Sequence, residues 1–217
     1  MNDFPDTDLP LALATELVHG GTVRSQFGET SEALFLNSGF VYDNAEAAEA
    51  RFKGEEPGYV YSRYANPTVS VLEERMRLIE GAEAARATAS GMAAVYAALT
   101  CQLKAGDHIL ASRALFGSCL YIIQDLLPRF GVASTVVDGT DLDAWRKAVR
   151  PETKVFFLET PTNPALEVLD IAAICDIAHE AGARVTVDNV FATPLGQRPL
   201  ELGADVVVYS ATKHIDG

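Results

Sequence analysis

The stretch Lys154-Val-Phe-Phe-Leu-Glu-Thr-Pro-Thr-Asn-Pro164 joins a short apolar run, residues 155–158, to a polar loop that follows it directly. Such runs are typical of strands that helices cover on both faces of a parallel sheet. Two later runs, residues 184–187 (RVTV) and 206–209 (VVVY), have the same character and are also followed by polar residues. Together they predict the central strands of an α/β fold.

Helix and strand signals alternate along most of the chain. The predicted strands cover residues 108–112, 133–137, 154–158, 184–187 and 206–209. The predicted helices cover residues 45–52, 67–81, 91–103, 119–130, 142–149 and 171–181. This alternation predicts a mostly parallel central sheet flanked by helices. Residues 1–64 are irregular, acidic and aromatic, so we expect an extended N-terminal arm there and a larger domain in residues 65–217.

The composition restricts the partners and the compartment. The 217 residues include 17 Lys and Arg against 30 Asp and Glu, which gives a formal charge of −13. Such a charge repels nucleic acid and anionic lipid surfaces, so we expect neither as a partner. The N-terminus has no basic, apolar leader, and no apolar run approaches the roughly 20 residues that span a bilayer. We expect a soluble cytoplasmic protein whose three cysteines are reduced core residues.

Side chains that could take part in catalysis or ligand binding follow the predicted strands. Glu159 comes directly after one apolar run, Asp188 after the next, and Ser210 and Lys213 after the last. Phe116 follows the strand at residues 108–112 within a few positions. The carboxyl ends of parallel strands meet at one edge of a sheet, and ligands bind there in open α/β folds. We therefore expect these side chains to converge.

Pyridoxal 5′-phosphate would use each member of this set, because it combines an aldehyde, a basic ring nitrogen, a phenolic oxygen and a phosphate. Lys213 is the candidate amine for a Schiff base with the aldehyde. Asp188 would keep the ring nitrogen protonated, since a nearby carboxylate raises the pKa of that nitrogen. Asn163 can donate to the phenolic oxygen, and the Phe116 ring can stack on the pyridine face.

The phosphate has its own candidate site. Ser90, Gly91 and Met92 open a predicted helix, where backbone N–H groups and the positive end of the helix dipole favour an anion. Ser210 and Thr212 add hydroxyl donors after the last strand.

Each of these signals alone has a simpler explanation. Lys213 could be a solvated residue at a strand edge, Asp188 a turn former and Phe116 a part of the core. Their order along one chain favours the cofactor site. No GxGxxG, GxxxxGK[ST], HExxH or GxSxG motif occurs, which disfavours dinucleotides, nucleoside triphosphates, catalytic zinc and serine hydrolysis. We predict no metal site.

Five motifs in this order resemble those of the Cys/Met metabolism enzymes, a pyridoxal-phosphate-dependent family of fold type I. They are Tyr61-Ser-Arg63-Tyr-Ala-Asn66-Pro67-Thr68, Ser90-Gly91-Met92-Ala-Ala, Glu159-Thr-Pro-Thr-Asn163-Pro164, Asp188-Asn189 and Ser210-Ala-Thr212-Lys213-His214. The resemblance covers nearly the whole chain and implies the same fold and cofactor. It also implies that backbone N–H groups of Gly91 and Met92 bind the phosphate.

The resemblance implies an active site that two subunits share. Tyr61 and Arg63 would reach into a neighbouring subunit and bind its cofactor phosphate. We therefore expect a homo-oligomer built from site-sharing dimers, with a tetramer as the assembly.

Within the family, residues 28–43 and 114–119 are most similar to the sulfhydrylases of succinylated homoserine. That similarity implies a γ-replacement that converts a homoserine ester and sulfide to homocysteine and succinate. Phe116 stands where many relatives have a tyrosine, and a phenyl ring cannot exchange a proton with a leaving group, which favours replacement over lysis. Cystathionine γ-synthase, a γ-lyase and a non-catalytic module remain alternatives.

The sequence ends at Gly217, soon after Lys213. The resemblance implies that a C-terminal domain, with the arginine that binds the substrate carboxylate, is not part of this sequence. We therefore expect the chain by itself to be inactive.

Overall fold

A computed structural model of the chain describes residues 12–216, which form two compact units. One unit ends at Ala87 and the other begins at Thr88. Residues 1–11, the start of the predicted arm, lie outside the described residues. The arm at residues 1–64 and the domain at 65–217 stay a prediction.

The second unit is built on a five-stranded sheet. Its strands are β1 (His108–Ser112), β2 (Ala133–Val137), β3 (Thr153–Glu159), β4 (Arg184–Asp188) and β5 (Val206–Val208). The strand order is β2-β1-β3-β4-β5, and every neighbouring pair is parallel. The predicted α/β class and parallel sheet are confirmed. The register pairs Glu159 with Asp188, the last residues of β3 and β4.

Two apolar clusters cover the two faces of the sheet, and β3 contributes to both. Phe156 and Leu158 belong to one cluster, while Val155 and Phe157 belong to the other. This alternation follows from the two-residue period of a strand. All four side chains are fully buried, and each stabilises the fold by about 1.5–3 kcal/mol through the hydrophobic effect. The strands at the core of the sheet are therefore continuous apolar runs, as the sequence indicates.

Helices pack on both faces of this sheet. They are α4 (Gly91–Thr100), α5 (Gly117–Tyr121), α6 (Leu142–Ala148), α7 (Ile171–Glu180) and α8 (Thr193–Gly196). Two more short helical turns, at Leu127–Phe130 and Pro199–Leu202, are of the 3-10 type. The predicted helix at 91–103 ends earlier, at Thr100, and α8 was not predicted.

The prediction of one regular helix at residues 119–130 is wrong. The segment is α-helical only to Tyr121, continues as a π-helical turn at Ile122–Leu126, and ends as a 3-10 turn that contains Pro128. Proline has no N–H to continue the α-helical hydrogen bonds, and its ring clashes with the preceding turn. The apolar pattern survives this change, since Ile122, Ile123 and Leu127 are all buried.

The first unit contains three helices within its described residues: α1 (Leu13–His19), α2 (Ala45–Lys53) and α3 (Pro67–Glu80). Asn66 caps α3 by accepting the Thr68 N–H at 2.9 Å, as its place before a proline predicts. Arg75, on α3, donates to the Gly20 carbonyl oxygen at 3.1 Å and pairs with Glu32. The irregular segment predicted before residue 45 therefore contains a short helix, α1, which was missed because none of its residues is buried.

Two further findings concern the expected compartment. Within residues 12–216, no helix is long and apolar enough to cross a membrane. Cys119 and Cys175 are buried free thiols, as expected of core residues. Cys101 is free but exposed, so its assignment to the core is wrong. It lies just beyond the last turn of α4, at the C-cap position.

Candidate active site

A pocket lies where β3, β4 and β5 end, within the second unit. Seven of the predicted site residues line it: Gly91, Met92, Phe116, Asn163, Asp188, Ser210 and Lys213. Each belongs to the end of a strand, the loop after a strand or the first turn of a helix. The parallel sheet therefore brings to one place side chains that are far apart in the sequence.

Lys213 and Ser210 are held together by a turn. The Lys213 backbone N–H donates to the Ser210 carbonyl oxygen at 3.2 Å. The Lys213 Nζ donates to the Ser210 Oγ at 3.3 Å, so the amine folds back toward the end of β5. The positive charge of this amine also acts on Asp188, whose pKa it lowers.

Asp188 is one of two buried acids of the pocket, with 8% of its surface exposed. Burial raises the pKa of its carboxyl to about 6, and the Val190 N–H and the Lys213 charge only partly offset that effect. The Val190 N–H bond to Oδ1 is 3.1 Å long. At neutral pH the group is mostly ionised, which suits it to hold a cationic partner.

The start of α4 forms one wall of the pocket. Ser90 caps the helix by accepting the Ala93 N–H at 3.1 Å. A Cβ placed on Gly91 would lie 2.6 Å from the Ser210 Cβ and 3.0 Å from the Ser210 Oγ. Only glycine allows the helix to approach the loop after β5 this closely. The positive end of a ten-residue helix therefore faces the pocket beside a serine hydroxyl.

Phe116 and Asn163 are held by a residue to which we assigned no role. The Phe116 N–H donates to Glu159 Oε2 at 2.6 Å, and the Asn163 N–H donates to Glu159 Oε1 at 2.9 Å. Glu159 is 5% exposed and also lines the pocket. Burial raises the pKa of its carboxyl to about 7; the Asp188 charge adds to that effect, and the two backbone N–H donors oppose it. Its sequence signals were its position directly after an apolar run and its place at the start of a motif shared with the family.

A second feature that we missed is a buried amide network beside the pocket. Asn189, fully buried, donates to the Tyr209 hydroxyl at 2.6 Å and to the Gln197 carbonyl oxygen at 2.9 Å. Gln197 in turn donates to Asn189 Oδ1 at 2.8 Å and to the Thr160 carbonyl oxygen at 3.0 Å. The network joins the ends of β3, β4 and β5.

Four predicted residues are not among those that line the pocket. The Ser90 hydroxyl oxygen accepts the Ala93 N–H as the helix cap. Thr212 is exposed in the turn before Lys213. Tyr61 and Arg63 belong to the first unit. There the Arg63 guanidinium lies 4.9 Å from the centre of the Tyr61 ring. The Tyr61 backbone pairs with Gly39 in an isolated antiparallel β-bridge. Their predicted contact with a phosphate stays a prediction.

Within residues 12–216, no group of three or more His, Cys, Asp or Glu side chains could hold a metal ion. The side chains at the pocket are instead suited to an organic cofactor. An amine, an ionised carboxylate, a helix start that only glycine permits and an aromatic ring share one cavity. This set fits an aldehyde, a basic ring nitrogen, a phosphate and a heteroaromatic face, which are the groups of pyridoxal 5′-phosphate.

Comparison with known proteins agrees with this chemistry. The sequence profile of the "Cys/Met metabolism PLP-dependent enzyme" family matches residues 14–217. The chain belongs to this family. The predicted fold type and cofactor are thereby confirmed, since the family is pyridoxal-phosphate-dependent.

Two curated relatives illustrate the similarity within the Cys/Met metabolism family. An O-succinylhomoserine sulfhydrylase of Mycobacterium tuberculosis is 58% identical, over 100% of this chain and 55% of its own length. An L-methionine gamma-lyase of Porphyromonas gingivalis is 45% identical, over 94% of this chain and 51% of its own length. The chain spans about half the length of the curated relatives it matches.

A solved structure has a similar architecture over most of this chain. It is a putative O-acetylhomoserine (thiol)-lyase of Campylobacter jejuni, with a TM-score of 0.90 and 33% identity. The match covers 94% of this chain and 50% of that one, which carries N'-pyridoxyl-lysine-5'-monophosphate.

Proposed function

We propose that the protein catalyses a γ-replacement in which sulfide displaces succinate from O-succinylhomoserine and gives homocysteine. The observation that carries this proposal is the meeting of Lys213 and Asp188 in one pocket, with Phe116 as its aromatic ring. The 58% identity to an O-succinylhomoserine sulfhydrylase supports the choice of substrate.

Three residues of the pocket have a chemical part in the proposed reaction. Lys213 would hold the cofactor through its side-chain amine, and the free amine would take the proton from the substrate α-carbon and deliver it further along the substrate. When bound, pyridoxal 5′-phosphate supplies an electron sink for the negative charge that develops at that carbon. Asp188 keeps the ring nitrogen protonated, and its mostly ionised state at neutral pH supports this role. Asn163 orients the ring through its phenolic oxygen.

The phosphate would lie at the start of α4. Backbone N–H groups of Gly91 and Met92, with the hydroxyls of Ser210 and Thr212, would bind it. The close approach of Gly91 to Ser210 supports this placement, because it brings a helix N-terminus and a hydroxyl together.

The aromatic residue favours replacement over lysis. Phe116 can stack on the ring, but its side chain has no proton to give to a leaving group or to take from a thiol. Methionine γ-lysis is the second candidate, since a lyase of Porphyromonas gingivalis is 45% identical. A cystathionine γ-synthase differs only in its thiol, cysteine, and a non-catalytic module would keep the pocket without turnover.

We further propose that the active protein is a cytoplasmic homo-oligomer in which Tyr61 and Arg63 of one subunit complete the phosphate site of another. Tyr61 is 39% exposed, and the Arg63 guanidinium lies over the Tyr61 and Tyr64 rings, which supports an outward-facing aromatic and cationic surface. Such surfaces are common at interfaces between subunits.

The experiment has two parts. Borohydride reduction of the protein incubated with pyridoxal 5′-phosphate should fix a pyridoxyl group on the peptide that contains Lys213, as peptide mass spectrometry can detect. A Lys213→Ala variant should lose that label, while Lys154→Ala, which changes an exposed lysine at the start of β3, should keep it. Retention of the label in Lys213→Ala would contradict the proposal.

The second part separates the reactions. In a protein that also has the C-terminal domain of the family, sulfide with O-succinylhomoserine should give homocysteine, at a rate that exceeds both that of cystathionine formation from cysteine and that of methionine lysis. Faster use of cysteine would indicate the synthase, faster lysis would indicate the lyase, and a labelled protein without any turnover would indicate the non-catalytic module.

A further inference from the structure

Glu159 links two loops of the pocket through one carboxylate. Its Oε2 accepts the Phe116 N–H at 2.6 Å, and its Oε1 accepts the Asn163 N–H at 2.9 Å. Phe116 lies in the connection between β1 and α5, whereas Asn163 lies in the connection between β3 and α7. One side chain therefore sets the spacing between an aromatic ring and an amide that we assign to opposite parts of the cofactor.

The carboxylate is in an unfavourable place for stability alone. Glu159 continues the fully buried run from Val155 to Leu158 and is 5% exposed. No ion pair to a lysine or arginine is formed by Glu159 among the described residues. Its partner across the strand pair is Asp188, a second acid. A buried charge with a like charge as its neighbour destabilises the fold unless hydrogen bonds compensate it, and here backbone N–H groups do so.

The ring of Phe116 depends on its backbone for its position. The residue stands at the N-cap of α5 with φ −54° and ψ 133°, and 44% of its surface is exposed. Packing therefore restrains this side chain less than the buried ones around it. The hydrogen bond from the Phe116 N–H to Glu159 is therefore a main restraint on the position of the Phe116 backbone, from which the ring extends.

We propose that Glu159 is a positioning residue of the cofactor site, which holds the Phe116 ring and the Asn163 amide at one spacing through their backbone N–H groups. The inference rests on the proposed function, because it assumes that the pocket holds pyridoxal 5′-phosphate. Glu159 itself acts only through the two loops.

A glutamine at this position tests the inference. Glu159→Gln keeps the shape but offers one acceptor oxygen and an NH₂ group, so one of the two N–H groups loses its partner. At about pH 8, above the raised pKa of Glu159, the carboxyl is mostly charged, and loss of one hydrogen bond to it shifts an equilibrium by roughly ten- to a hundredfold. We expect about tenfold weaker binding of pyridoxal 5′-phosphate and a changed visible circular dichroism band, which reports the orientation of the bound ring.

The matched control is Glu152→Gln, which removes the same charge from an exposed residue just before β3. It should leave affinity and spectrum unchanged. In the double variant Glu159→Gln, Phe116→Ala, the two losses of affinity should combine to less than their product, because a missing ring cannot be misplaced. If Glu159→Gln does not fold, Glu159→Asp should give the same spectral change, since the shorter acid cannot reach both donors.

Two outcomes would overturn the inference, and each differs from a failure of the proposed function. An unchanged affinity and spectrum in Glu159→Gln would do so, as would fully multiplicative losses in the double variant. A wild-type protein that binds no pyridoxal 5′-phosphate would instead overturn the proposed function, and the inference with it.

Discussion

Replacing Gly91 with alanine tests the wall of the pocket most directly. The new Cβ would lie 2.6 Å from the Ser210 Cβ, whereas carbon atoms pack at about 3.5–4.0 Å, so the loop after β5 must retreat by roughly 1 Å. Overpacking of this kind typically costs about 1–3 kcal/mol, and the better helix propensity of alanine returns at most about 1 kcal/mol. The net destabilisation should be about 1–2 kcal/mol.

That figure gives two measurable consequences. The melting temperature should fall by about 2–8 °C for a chain of this length. The same retreat moves Ser210 and, with it, the amine of Lys213, whose Nζ donates to the Ser210 Oγ. Displacement of these two groups should weaken binding of pyridoxal 5′-phosphate, and a loss of about 1–2 kcal/mol in the binding free energy would be measured as a roughly 5- to 30-fold higher Kd in an absorbance titration.

Gly117 provides the matched control, because it is also the first residue of a helix but a Cβ added to it would meet no atom within 4 Å. Gly117→Ala should leave the melting temperature unchanged or raise it by no more than a few degrees. Adding Ser210→Gly to Gly91→Ala should restore stability without restoring affinity, since it removes both the clash and the hydroxyl. If Gly91→Ala melts and binds like the wild type, the close approach of α4 has no energetic importance.

Three further predictions concern the acids and the ring. Asp188→Asn should weaken binding of pyridoxal 5′-phosphate by roughly ten- to a hundredfold in a fluorescence titration, because a neutral amide loses the charge-assisted bond to the ring nitrogen. Phe116→Tyr should keep the affinity but increase 2-oxo acid release in the absence of sulfide, because a phenol can assist a leaving group. Folding raises the pKa of Glu159 from 4.5 to about 7, so the folded state binds its proton more tightly between those values. The unfolding free energy of the wild type relative to Glu159→Gln should therefore be highest below pH 4.5 and fall by about 3 kcal/mol as the pH rises to 7. Urea titrations across this range would show a flat difference if the carboxyl were not perturbed.

The strands were predictable because their signal is local. Val155 to Leu158 are fully buried and form one continuous apolar run. Helix α1 was not, since none of its residues is buried, and helix 119–130 failed because Pro128 changes the hydrogen bonding without changing the apolar pattern. Local pattern reports burial well and backbone geometry less well.

The site also contains residues whose roles the sequence predicts and residues whose roles it does not. Asp188 and Lys213 could be placed at one sheet edge from sequence because the ends of parallel strands must meet. The role of Glu159 could not, because its partners are backbone N–H groups, one of them in a distant loop, and such donors have no signature in the residue types. Gly91 could be given a role at a helix start, but its necessity depends on how near Ser210 lies, which only the folded chain determines.

The amide network around Asn189 has a consequence for how this protein can vary. Gln197 and Asn189 connect the Thr160 carbonyl oxygen with the Tyr209 hydroxyl. The segment from Tyr209 to Lys213 is therefore held by side-chain hydrogen bonds to the loops after β3 and β4, as well as by its covalent link to β5. Buried networks of this kind rigidify their surroundings only when every member is satisfied. Residues 192–196, which do not line the pocket, can therefore change in sequence without moving the amine of Lys213, provided that both amides remain. Slow amide exchange at Asn189, whose N–H donates to the Val208 carbonyl oxygen, should persist in variants with substitutions in residues 192–196.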